Sequence, residues 1–192
     1  MTSDENVNNT NEEEVSEIAV VDSLDDTIWP LINRVLSSVD VTPERGSIDL
    51  ITQIPRSDII RALQILKDHE EVQFNYLRCL TAVDNESDGV DVVYHLYSIP
   101  KNINLTVKVN LPVDDKTIGT ATEVWEAANW LERETAEMFG ITFNNHPDPR
   151  TLLMPEDMTD TFPLLKSHPF AEIEILQGEL LGYDRENQGD DE

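Results

Sequence analysis

Between Phe74 and Leu111 the chain passes through three strand-like segments in close succession, "FNYLRCLTAV", "VDVVYHLYSI" and "NINLTVKVNL". β-Branched and aromatic residues recur in all three. The first link, "DNESDG" at 84–89, is turn chemistry. This run constrains the architecture more than any other feature. Strands joined by short turns pair antiparallel into one sheet, and the remaining chain must cover it.

The flanking segments supply the cover. "GSIDLITQI" places Ile48, Leu50, Thr52 and Ile54 on alternate positions, the pattern of a half-buried strand. "PRSDIIRALQILKDHE" then predicts a helix with Ile59, Ala62, Leu63 and Leu66 on one face. Upstream, Leu24, Ile28, Leu31, Ile32, Val35 and Leu36 recur at helical spacing, with Ser23 as the N-cap. The order strand–helix–strand–strand–strand–helix predicts an α+β fold. Its expected form is a mixed, largely antiparallel sheet with helices on one face, a ferredoxin-like core, followed by a long irregular C-terminal extension. At 192 residues one domain of ordinary size is expected.

Charge divides the chain further. The formal charge is −26, of which residues 1–22 hold −7 and residues 184–192 hold −4, leaving −15 in between. We therefore expect a disordered acidic leader over 1–23, a core over 24–140, an extension over 141–183 and a disordered acidic tail over 184–192. Such an acidic chain disfavours contact with nucleic-acid phosphates and with anionic lipid. A partner should carry basic patches or bind through apolar groups. The N-terminus lacks the basic and apolar regions of a signal peptide, and no apolar run approaches the roughly 20 residues that span a bilayer. The single cysteine, Cys79, sits in an apolar stretch and reads as a small core residue in a reducing compartment.

"ATEVWEAANWLERETAEMF" (121–139) predicts a helix stopped by Gly140. Val124, Ala127, Ala128, Leu131, Thr135, Met138 and Phe139 share its apolar arc, while Glu126, Arg133 and Glu137 lie opposite as a solvated, salt-bridged face. Three residues resist that division. Glu132 points into the apolar arc, Glu134 sits at its margin, and Trp130 places a large indole among charges. A carboxylate drawn inward needs a partner. The expected one is Arg150, pairing with Glu132 or Glu134 and clamping the extension, with His146 beside them. An exposed tryptophan points to an interface.

After Gly140 the texture changes, with five prolines between 140 and 170 and no sustained period. Leu152, Leu153, Met154, Phe162, Leu164, Leu165 and Phe170 are too many apolar groups for a free loop. Leu152, Leu153, Phe162, Leu165 and Lys166, with Trp130, are therefore expected to dock on a partner. Lys166 and Arg150 would add local positive charge.

The seven glycines form neither GxGxxG nor GxxxxGK, and His69, His95, His146 and His168 are scattered. "HPDP" at 146–149 reads as a turn in which Asp148 bonds local backbone, rather than as a metal site. One cysteine cannot hold an iron–sulfur cluster. No catalytic, cofactor-binding or metal-binding residue is assigned.

One pattern is more specific. Glu132-Arg133-Glu134 and Glu137-Met138-Phe139 are followed after six residues by His146, after three more by Arg150, and then by Leu152-Leu153. With the preceding "NW", the "FGI", the "HPD" and "LTAVD" at 80–84, this resembles the 30-kilodalton subunit of proton-pumping NADH–quinone oxidoreductase (respiratory complex I). The resemblance covers roughly residues 45–170. It departs at "FPLLKSHPF", where Leu165, Ser167 and His168 stand in place of the family's Arg, Asp and aromatic residue.

The resemblance implies an α+β scaffold subunit without cofactor in the hydrophilic arm. It would pack on the large quinone-site subunit and neighbouring arm subunits. FMN, iron–sulfur clusters, NADH and quinone would be handled by other subunits. Location is then the cytoplasmic face of the cell or inner membrane, with membrane association only through the complex. The alternatives are the equivalent subunit of a ferredoxin-dependent quinone oxidoreductase or membrane-bound hydrogenase, or a stand-alone hydrolase using Glu132 or Glu134.

Overall fold

Alternation and helical period map onto the elements of a computed structural model, which describes residues 27–46, 49–155, 158 and 161–168. The expected leader, the Ser23 cap, Ile48, Phe170, the region 171–183 and the acidic tail lie outside these residues. In chain order the elements are helix α1 (27–35), strands β1 (Thr42–Arg45) and β2 (Leu50–Gln53), helix α2 (Ile59–Asp68), and strands β3 (Tyr76–Asp84), β4 (Val90–Ser98) and β5 (Ile103–Leu111). Strand β6 (Thr117–Gly119), helix α3 (Ala128–Phe139) and strand β7 (Thr142–Asn144) follow.

β4 pairs antiparallel with both β3 and β5, giving the meander the three segments demand. β5 continues in parallel onto β2, and β1 closes the edge, for the order β1-β2-β5-β4-β3. β2 and β3 therefore run the same way, joined by α2 as a crossover with two strands between them. Alternation decides the faces. Leu80, Ala82, Val92, Tyr94, Leu96, Leu105, Val107 and Val109 turn inward and are buried. There they form one core with Ile32, Val35 and Leu36 near α1 and Ile59, Ala62, Leu63 and Leu66 of α2. The opposite face carries polar pairs: Lys108 with Glu44 at 3.1 Å, Asn110 with Asp91 at 2.8 Å and Arg78 with Asn104 at 3.0 Å. Both faces follow from the strand period.

Two features lie beyond the periodicity. β1, "TPER", has no apolar alternation to betray it. β6 and β7 are three residues each and form a separate parallel pair, with α3 as their crossover. Ile141 and Phe143 are buried in the main core, so packing continues past the boundary expected at Gly140. α3 is also shorter than expected: it starts at Ala128, and the chain from 121 to 127 folds as turns. Ala127 of the expected arc is exposed, whereas Val124 and Trp125 are buried. α3 packs along β3, where the Thr135 hydroxyl reaches the Leu80 carbonyl at 3.5 Å and covers the sheet edge.

Gly140 ends α3 in the left-handed region, φ 71°, with its N–H on the Ala136 carbonyl. A β-carbon there would lie 2.9 Å from the Phe162 ring. The glycine thus serves twice, as helix stop and as seat for the returning chain.

Candidate functional site

The parallel β6–α3–β7 unit gathers the singled-out residues at the carboxyl ends of its two strands. Thr120 and Ala121 follow β6, Asn129 to Glu137 lie on α3, and Asn145 to Arg150 follow β7.

Glu132 is fully buried, as its inward position on the wheel implied. Its carboxylate is met by local groups: the Thr120 hydroxyl donates to Oε2 at 2.5 Å, and the Ala121 N–H donates to Oε1 at 2.6 Å. These bonds favour the ionised form. Desolvation outweighs them and pushes the carboxyl up to about 7. Burial, with the Glu132 charge second, also raises the Tyr94 phenol. His146 sits 3.8 Å from Glu132 Oε2 with its side chain buried. The Asp148 N–H donates to His146 Nδ1 at 3.0 Å, so the ring proton belongs on Nε2, which donates to the Asn129 carbonyl at 3.1 Å. His146 therefore pins the segment after β7 to the start of α3.

Arg133 and Glu137, one helical turn apart, divide the work of holding the extension. Arg133 donates Nε to the Arg150 carbonyl at 2.7 Å and Nη2 to the Thr151 carbonyl at 2.8 Å. Glu137 accepts three backbone N–H groups, from Leu152 at 2.9 Å, Leu153 at 2.9 Å and Met154 at 3.2 Å. A carboxylate receiving successive main-chain donors is a strong anchor. It also corrects the expected solvated face: Glu137 is buried because the strap formed by residues 150–154 of the extension covers it.

The expected pair between Arg150 and Glu132 or Glu134 is not what the structure shows. Arg150 closes on Asp148 through Nε–Oδ1 at 2.6 Å and Nη2–Oδ2 at 2.8 Å, and its side chain is 80% exposed. Pro147 and Pro149 restrict this stretch to a turn that brings the two side chains together. Asp148 also faces Arg133 Nη1 at 3.4 Å. The hydrogen bond from Arg150, helped by both positive charges, holds its carboxyl down at about 2. The expected bonding of the Asp148 side chain to backbone is thus replaced by a guanidinium pair. Glu134 is exposed. Its charge, second to burial, pushes the half-buried Cys79 thiol above its ordinary value, as suits an inert packing residue.

The residues expected at an interface divide into two groups. Trp130 (68%), Leu153 (64%) and Leu164 (54%) are exposed. Phe162 is half-buried over Gly140, and Leu165 packs on the core. The Leu164 N–H bonds the Met138 carbonyl at 3.1 Å, and the Lys166 N–H bonds Asp84 at 2.8 Å. Lys166 Nζ pairs with Glu86 at 3.2 Å. The segment thus folds back over its own domain, which corrects the reading of Phe162 and Leu165 as outward contacts. Leu152 is half-buried at the strap. Sequence reasoning missed Thr120, Ala121 and Asn129 because each acts through its loop position or a main-chain atom.

Glu132, Arg133 and Glu137 of the signature thus engage main-chain groups, and the exposed indole of Trp130 lies on the same helix. Residues 52–174 match the family described as respiratory-chain NADH dehydrogenase, 30 Kd subunit, and the chain belongs to that family. It is 39% identical over 136 residues to the C subunit of NADH-quinone oxidoreductase from Geobacter sulfurreducens, covering 69% of this chain and 81% of the relative. Identity to a C subunit of the same enzyme from Rhizobium etli, numbered 2 in that organism, is 34% over 142 residues, covering 73% of this chain and 74% of that one. Among solved structures, a trypsin-resistant fragment (1–134) of Nqo5 aligns with TM-score 0.54 and 26% identity, over 63% of this chain and 98% of the fragment. A chain of the membrane-bound sulfane sulfur reductase, an archaeal respiratory membrane complex, aligns with TM-score 0.68 and 21% identity, over 87% of this chain and 97% of its own length. That likeness shows the shared fold.

Proposed function

We propose that this chain is a scaffold subunit of the hydrophilic arm of a proton-translocating NADH–quinone oxidoreductase. In this reading it binds no cofactor, carries out no chemistry of its own and docks on the large quinone-site subunit at the cytoplasmic face of the membrane. FMN, iron–sulfur clusters, NADH and quinone belong to other subunits. Its membership of the 30-kilodalton subunit family supports the assembly. The observation carrying the scaffold role is the engagement of Glu132, Arg133 and Glu137 with main-chain groups, while Trp130 and Leu153 face outward. No helix among the described residues is long and apolar enough to cross a membrane, which fits attachment through partners. A hydrolase using Glu132 is disfavoured because substrate cannot reach a fully buried carboxylate.

The fold shared with a respiratory membrane complex of different electron chemistry favours one second reading, the equivalent subunit of a sister complex. Mild-detergent co-purification with the tagged full chain separates the two. Recovery of a flavin-binding NADH-oxidising subunit with the large subunit supports the first reading. A large subunit with a ferredoxin-linked or hydrogenase partner supports the second, and recovery of neither overturns both. Stoichiometric iron, zinc or flavin in the isolated chain would contradict the cofactor-free role.

A further inference from the structure

Beside the clamp lies a groove of about 530 Å³, lined by Glu123, Glu126, Asn129, Trp130, Asn145 and Pro147 among others. Its composition is one-sided. Glu123 and Glu126 are exposed on the turns before α3, and among the described residues neither carboxylate makes an ion pair or accepts a hydrogen bond. Two cations of adjoining elements are engaged elsewhere. Lys67 is on the Val124 carbonyl, and Arg133 is on the strap carbonyls and Asp148. The charged side chains of the lining are therefore carboxylates alone, beside a 68% exposed indole. Acids before a helix also favour its N-terminus. That role explains the carboxylates and leaves the indole unexplained.

We infer that this groove receives an arginine side chain of a partner protein, its guanidinium stacked on Trp130 and bridged by Glu123 and Glu126. A planar guanidinium satisfies both halves of the lining at once: its face lies on an indole, and its edge offers donors to two carboxylates. Lysine presents a strongly hydrated point charge, and an apolar side chain would leave the acceptors without donors. Arginine is also enriched at protein interfaces, and the chain's net charge of −26 favours a basic partner surface. The inference rests on the docking reading above and adds the chemistry of the contact.

The test uses the full chain with ¹⁵N-labelled tryptophan, whose three indole signals come from Trp29, Trp125 and Trp130. Trp130→Phe assigns the relevant one. L-Argininamide should shift the Trp130 indole saturably while leaving that of buried Trp125 in place. Glu123→Gln/Glu126→Gln should weaken binding roughly tenfold. Glu70→Gln/Asp114→Asn, which removes the same charge from other exposed positions, should leave it within about twofold. The assignment is overturned by absence of a shift, by equal losses in the two double variants, or by equally tight binding of L-lysinamide or L-leucinamide. Co-purification with the large subunit separates this inference from the reading beneath it. If Trp130→Ala lowers recovery and Glu123→Gln/Glu126→Gln does not, the docking face stands and the arginine contact falls. Unchanged recovery with both overturns the docking face and, with it, the proposed partner.

Discussion

Glu132 shows how one carboxylate can be both well bonded and expensive. The native state holds its carboxyl at about 7, against an ordinary value of 4.5, because burial outweighs the bonds from Thr120 and Ala121. The folded chain therefore retains a proton that the unfolded chain has released. Its contribution to stability is complete below about pH 4.5 and is lost as pH rises through about 7, by on the order of 3 kcal/mol. Urea unfolding at pH 5 and pH 8 should register that decline, and Glu132→Gln, which mimics the neutral acid, should flatten it. Parallel pH profiles for the two proteins would contradict this account of Glu132. Three main-chain donors converge on Glu137. Glu137→Ala strands those donors and should cost about 2–4 kcal/mol, with faster proteolysis between Thr151 and Met154. An unchanged cleavage rate would mean that the strap is held by other contacts.

At the scale of elements, legibility follows periodicity. The four α2 residues expected on one face, Ile59, Ala62, Leu63 and Leu66, are all fully buried. The meander is equally plain, since alternation and short turns admit little else. Glu137 is misplaced by its sequence position because its cover comes from 152–154, a segment without a period, so a helical wheel sees only an outward position. Thr120 and Ala121 lie 12 and 11 residues before Glu132 on an irregular turn, where no pattern marks them. Trp130 can be read because a large indole among charges violates the wheel. The folding back of 162–168 cannot, since a long run of leucines and prolines suits a partner as well as its own domain. The structure now separates the two at the bench. Leu165→Asp should destabilise the isolated domain by about 2–3 kcal/mol because Leu165 packs on the core. Gly140→Ala should cost about 1–2 kcal/mol, since alanine is strained at φ 71° and its methyl meets Phe162. Near-wild-type melting of both variants would show that this segment does not seat on α3.

Across the whole molecule, the main sheet supplies a rigid base, and the β6–α3–β7 unit carries the family signature at one end of it. Glu132, Arg133, Glu137 and His146 of the signature hold main chain, and beside them lies a surface bearing Trp130 and Leu153. In the function we propose, this surface docks the protein on its partner while the hydrogen bonds beneath it hold the domain together. Quantitative co-purification of the large subunit with tagged full-length Trp130→Ala/Leu153→Asp tests it most directly, with the melting temperature of the isolated variant measured in parallel. Melting within about 2 °C of wild type is expected, because both side chains are exposed, together with at least tenfold lower recovery of the partner. Recovery equal to wild type from a normally folded variant would contradict it.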